Sequence, residues 1–109
     1  MPKDKYQIRL FTIAEDDLSE IISFIAADNP TAAESIADKI EKNINLLSEN
    51  PKLGRIPRDE DIKSLGYRYL VVQNYIIFYT VEVRTIFIHR ILHGARKYRT
   101  LLYFFTHNY

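Results

Sequence analysis

The sequence predicts an α+β fold: a strand, an antiparallel helical hairpin, a three-stranded antiparallel meander and a short C-terminal helix, with the hairpin packed on one sheet face. Three observations carry this expectation. Two stretches with helical apolar spacing flank the breaker "DNPT", and three β-rich runs between 67 and 92 are joined by very short polar links. Neither unit can bury its apolar side alone, so each needs the other.

The elements follow in order. Residues 6–12, "YQIRLFT", place Ile8 and Leu10 in one strand phase. In the first helix Ala14, Leu18, Ile21, Ile22 and Ile25 form one stripe, Thr12 is the expected cap, and Glu15, Asp16 and Asp17 suit the positive end of the dipole. Asn29 is expected to cap the second helix with Pro30 in its first turn, and Ala33, Ile36, Ala37, Ile40, Ile44 and Leu47 form its stripe. "NPKLGRIPRDEDIKSLG" holds two of the four prolines and two of the three glycines, so it reads as a surface loop. The strands 67–73, 75–81 and 85–92 come next, with tight links at Asn74 and at Glu82 to Arg84. A short helix from about Ala95 to Phe104 and the apolar tail "LLYFFTHNY" complete the chain; the tail either docks on the domain or meets a partner.

A length of 109 residues with 47% hydrophobic and 27% charged content fits one small globular domain, residues 1–109. The longest apolar run, "YIIFYTV", falls far short of the roughly 20 residues of a membrane span, so a cytoplasmic protein without membrane association is expected. Cysteine is absent, which excludes disulfides, thiolate nucleophiles and cysteine zinc sites. The net charge of +1 conceals a division: residues 14–50 carry nine acidic side chains against Lys39 and Lys42, whereas 62–109 carry seven basic ones against Glu82. A basic side of this kind attracts phosphate or an acidic protein segment.

The densest part of the basic half is "HRILHGARKY", residues 89–98. His89 shares strand phase with Phe87 and Ile91, which suits a packed histidine better than a catalytic one. Arg90 is in phase with Ile86, Ile88 and Leu92, leaving open an ion pair with a helix carboxylate or contact with a partner. His89 and His93 lie about 13 Å apart along a strand and cannot share a zinc ion. The helical carboxylates read as solvated outer faces, and the three glycines are too scattered for a phosphate-cradling loop.

In this order, "TIAEDDLSEIISFIAADNPTAAESIADKI", "NPKLGR", "GYRYLVVQNYIIFYTV" and "IFIHRILHGARKY" resemble the RelE/ParE superfamily of type II toxin–antitoxin toxins over nearly the whole chain. The resemblance implies a growth-inhibiting toxin, without a cofactor, neutralised by a cognate antitoxin. RelE-like members cut mRNA on the ribosome, and ParE-like members poison DNA gyrase. RNA cleavage through the 2′-hydroxyl needs a base, an acid and cations at the phosphate. RelE-like enzymes characteristically supply a Lys-x-Lys pair, an arginine after a Gly-Tyr, an arginine after the last strand and a later tyrosine.

This chain has Arg68-Tyr69-Leu70 at the pair and Ile76 at the central arginine, while Arg96 matches the last one and Tyr98 or Tyr103 the tyrosine. Under the nuclease alternative Arg68 and Arg96 hold the phosphate, Tyr98 completes the set, and His93 moves a proton; otherwise His93 hydrogen-bonds the turn at Gly94. The incomplete cation set favours the gyrase-directed activity over the ribosome-dependent nuclease. An inactive relative that only binds antitoxin is the remaining alternative.

Overall fold

The computed structural model describes residues 5–94. Its elements are β1 (Gln7–Leu10), α1 (Thr12–Ala26), α2 (Pro30–Leu46), α3 (Glu60–Ser64), β2 (Arg68–Val72), β3 (Tyr75–Glu82) and β4 (Thr85–His93). The α+β order and the meander are as expected. The proposed C-terminal helix, the tail, Arg96 and Tyr98 lie outside the described residues.

The strands form one sheet in the order β1-β4-β3-β2, with β1 parallel to β4 and the meander antiparallel. The sheet is therefore mixed. The chain leaves β1 through the helical hairpin, enters the sheet again at β2 on the opposite edge and reaches β4 only after β3, so a long connection joins the parallel β1–β4 pair, as it must, because a tight turn cannot join parallel strands.

Alternation along β3 separates two apolar sides. Tyr75, Ile77 and Tyr79 join Leu70, Val72, Ile86, Ile88 and Ile91 beneath Ala14, Ile40, Ile44 and Leu47 of the hairpin segment. Ile76 and Phe78 face the other way, where Ile62, Tyr67 and Leu92 bury them and Tyr69 packs alongside. The second sheet face is thus partly covered by the segment that precedes β2.

Several local expectations are corrected. Thr12 does not cap α1: Phe11 holds the cap position in extended backbone, with no side-chain bond, and Thr12 is already helical. β1 is correspondingly short. Asn29 does cap α2, its side-chain oxygen accepting the Ala32 N–H at 3.1 Å, and Pro30 opens the helix.

The stretch expected as a surface loop contains α3, capped by Asp59, whose carboxylate accepts the Ile62 N–H at 3.1 Å. Five residues are too few to show a helical apolar period. The same stretch buries Gly54, Pro57 and Ile62. Nor do all helical carboxylates lie outside, for Asp17 is 8% exposed.

Candidate functional site

Two polar clusters are built into this scaffold, one on each side of β4, and a β-bulge creates both. Tyr79 pairs with Ile88 and Phe78 with Arg90, so His89 is the extra residue. Beyond it the strand phase reverses: Ile91 joins the core under the hairpin, and Leu92 joins the opposite cluster. The expected phase match of His89 with Ile91, and of Arg90 with Leu92, is therefore overturned by one inserted residue.

On the hairpin side, Asp17 accepts from Arg90 Nε at 2.7 Å and Nη2 at 2.9 Å, and from the Ile91 N–H at 3.0 Å. β1 pairs with β4 only as far as Ile88, so Asp17 serves the stretch of β4 edge that β1 leaves uncovered. Of the two roles open to Arg90, the structure shows the ion pair with a helix carboxylate. From the sequence alone Asp17 reads as a dipole-stabilising residue. Its spacing of three from Ala14 and four from Ile21 was the available sign of burial.

On the opposite face, His89 Nε2 meets Thr80 Oγ1 at 2.8 Å and Nδ1 meets Tyr67 Oη at 3.2 Å. Phe11 and Tyr67 contact the imidazole edge-on, each with ring centroids 4.8 Å away. Either neutral tautomer satisfies both hydroxyls, because each hydroxyl can donate or accept. Burial pushes the His89 pKa down to about 4. This is the packed histidine that its strand phase suggested.

A testable pH dependence follows. An unfolded histidine titrates near 6.5, so between about 4 and 6.5 the unfolded chain binds more protons than the folded one. The contribution is complete above 6.5 and is lost as pH falls toward 4. After discounting for solvent screening of the partly exposed ring it amounts to roughly 1–2 kcal/mol. Urea unfolding at pH 7 and pH 4.5 should show this loss, and His89→Phe should flatten it. An unchanged pH slope in His89→Phe would assign the dependence to other groups.

Arg68 is committed to the loop: Nη1 donates to the Gly54 carbonyl at 3.0 Å. The neighbouring Tyr79 hydroxyl donates to the Pro51 carbonyl and accepts the Gly54 N–H, both at 2.8 Å. Burial raises the Tyr79 pKa, opposed in part by the Gly54 hydrogen bond and by the charge of Arg68. This tyrosine anchor, which holds Pro51 and Gly54 of "NPKLGR", has no signature in the sequence. No local pattern links residues 25 or more positions apart.

His93 lies at the far end of β4, its ring 5.3 Å from Tyr75 in an edge-to-face contact. The adjoining turn is closed by backbone, with the Gly94 N–H donating to the Asn74 carbonyl at 2.6 Å. Arg68 pairs with Tyr79, whereas His93 pairs with Tyr75, which in turn pairs with Val72. Two strand spacings across and four residues along put Arg68 and His93 roughly 16 Å apart. Ile76, at the central arginine position, is 9% exposed within the opposite-face cluster.

Among the described residues, no three His, Asp or Glu side chains come together as a metal site, and no helix is long and apolar enough to cross a membrane.

A family model described as the ParE toxin of type II toxin-antitoxin system, parDE, matches residues 8–98. No curated protein matches the sequence. Among solved structures, a chain of the chromosomal ParDE TA system from P. aeruginosa is similar at a TM-score of 0.69 and 20% identity, covering 84% of this chain and 98% of that one. A chain of the toxin-antitoxin complex RelBE2 from Mycobacterium tuberculosis is similar at a TM-score of 0.58 and 23% identity, covering 82% of this chain and 98% of that one. At these identities the two structures establish a shared fold. The match over residues 8–98 goes further: this chain belongs to the ParE toxin family of type II toxin–antitoxin systems, within the RelE/ParE superfamily.

Proposed function

We propose that this toxin arrests growth by acting on DNA gyrase and that a cognate cytoplasmic antitoxin holds it inactive. The observation that carries the gyrase reading is that, among the described residues, Arg68 and His93 lie far apart and the central arginine position holds an isoleucine. A phosphoryl-transfer site needs its cations and proton-transfer groups within reach of one phosphate. Here Arg68 is bound to a loop carbonyl on one side of the sheet, His93 lies at the other end, and the central arginine position holds buried Ile76. His89 is neutral at physiological pH and engaged by two hydroxyls, so it replaces neither a cation nor a free base. The ParE description of the matching family supports the same reading, and neighbours that come from toxin–antitoxin systems support the antitoxin partner.

The test is induction without the antitoxin, with growth, plasmid supercoiling and mRNA 5′ ends followed in one culture. Arrest accompanied by altered supercoiling and intact transcripts is the expected outcome. Arrest with ribosome-dependent mRNA cuts and normal supercoiling would instead assign Arg68, His93, Arg96 and Tyr98 to a nuclease site. Normal growth would mark an inactive relative that retains only the antitoxin-binding fold.

A further inference from the structure

We propose that the tip of the β3–β4 hairpin is the part of this toxin that its target receives, with Val83 entering a preformed apolar pocket on a gyrase subunit. The inference rests on the gyrase reading above and gives that contact a place and a chemistry.

Two independent observations meet at Val83. Its side chain is 94% exposed, the highest value for a large apolar residue among the described residues. Its backbone lies at φ 56°, in the left-handed region, where a β-branched side chain crowds the main chain and glycine or asparagine is the ordinary occupant. An exposed apolar residue alone is common on a protein surface, whereas one held in strained backbone is not. The turn at the other end of β3 provides the contrast. Gln73 also has a positive φ, 55°, but its side chain is unbranched at Cβ and polar, so it crowds the backbone less and suits solvent.

The fold imposes this conformation. Glu82 pairs with Thr85, which leaves Val83 and Arg84 as the two residues of the turn, and the Arg84 carbonyl is held by the Gln7 N–H at 2.9 Å. A two-residue link between strands favours positive φ, because only then does its twist match theirs. Valine there stabilises the folded chain neither through its backbone nor through burial. A residue unfavourable in both respects points to a contact outside the chain.

The surroundings specify the occupant. Exposed Glu82 flanks the tip, while the Arg84 guanidinium lies over the Tyr6 ring, 4.5 Å from its centroid, and so turns toward the segment that enters β1. An acidic flank disfavours phosphate, which makes DNA held by gyrase a poor match and a protein pocket a good one. A lone knob on a narrow turn buries little against a flat surface and nearly all of itself in a preformed pocket. Full burial of a valine side chain corresponds to roughly a tenfold or greater gain in affinity.

Supercoiling by purified gyrase, titrated with the full-length toxin after release from its antitoxin, tests the assignment, together with the melting temperature and antitoxin affinity of the same proteins. Val83→Gly relieves the backbone and removes the side chain. It should raise the toxin concentration for half-inhibition about tenfold or more and raise Tm by about 4 °C, with antitoxin affinity unchanged. Val83→Ile keeps the branched apolar shape and should inhibit as the parent does. A Val83→Gly chain that inhibits gyrase as strongly as the parent overturns the inference while leaving the gyrase reading intact. So does one that loses affinity for the antitoxin instead, or one whose inhibition and Tm fall together, since the residue would then serve the antitoxin or the fold. A parent chain that leaves supercoiling unchanged rejects the gyrase reading and this contact together.

Discussion

Asp17→Ala should lower the unfolding free energy by about 3–5 kcal/mol, the largest loss expected from any single substitution on α1. The carboxylate does three things at once, accepting from Arg90 Nε, from Arg90 Nη2 and from the Ile91 N–H. Its side chain is 10% exposed and that of Arg90 15%, so water does not replace what is removed. Truncation leaves a guanidinium charge and a strand N–H in a dry environment, and the orphaned charge dominates the cost. Against a total stability of about 5–15 kcal/mol for a small domain, this loss unfolds a sizeable fraction of the molecules.

Two further variants separate charge from hydrogen bonding. Asp17→Asn retains an acceptor for Ile91 but leaves Arg90 uncompensated, so it should recover only part of the loss. Asp17→Leu combined with Arg90→Leu removes both charges and should cost less than either single change, because no unpaired ion remains. Urea denaturation of the four proteins at pH 7 provides the measurement. An Asp17→Ala variant within 1 kcal/mol of the parent would mean that solvent reaches Arg90 and that the pair contributes little.

The Asp17–Arg90 contact joins residues 73 positions apart and has no local signature in the sequence. The elements were legible because their signals are local: helical stripes at 14–25 and 33–47, the Asn29-Pro30 start and three β-rich runs. The pairing of β1 with β4 was not, since no short-range pattern reports a contact between residues 7–10 and 85–88. The bulge at His89 was equally hidden. A period-two reading carried past it gives every following residue the wrong face, which misplaced Ile91 and Leu92.

Of the site, the packing of His89 and an ion-pair role for Arg90 were accessible from strand phase. The commitment of Arg68 to Gly54 was not, because a loop carbonyl leaves no side-chain signature in the sequence. Charge counting was informative at the scale of halves and misleading at the scale of residues. Among the acidic residues of α1, Asp17 is buried against the sheet while Glu15, Asp16 and Glu20 stay exposed.

The second large effect is expected at Gly54, where substitution by alanine should cost about 2–4 kcal/mol. A methyl group built there would lie 2.5 Å from Tyr79 Oη, 2.6 Å from its Cε1 and 2.8 Å from the Tyr69 carbonyl oxygen. None of these neighbours can withdraw cheaply. Tyr79 is fully buried, and the Tyr69 carbonyl accepts the Arg55 N–H at 2.8 Å. Relief therefore requires the loop to lift, which breaks the bond from the Gly54 N–H to the Tyr79 hydroxyl and that from the hydroxyl to the Pro51 carbonyl, and frees Arg68 from the Gly54 carbonyl. Tyr79→Phe alone should cost about 1–3 kcal/mol, since it leaves the Gly54 N–H and Pro51 carbonyl unmet without adding a clash. In the double variant the phenolic oxygen is gone but the ring carbon and the Tyr69 carbonyl still crowd the methyl, so the combined loss should be smaller than the two single losses added together yet larger than that of Tyr79→Phe. Thermal and urea unfolding of the cycle measure that coupling. Strict additivity would show that the two residues act independently and that the tyrosine does not hold the loop against the sheet.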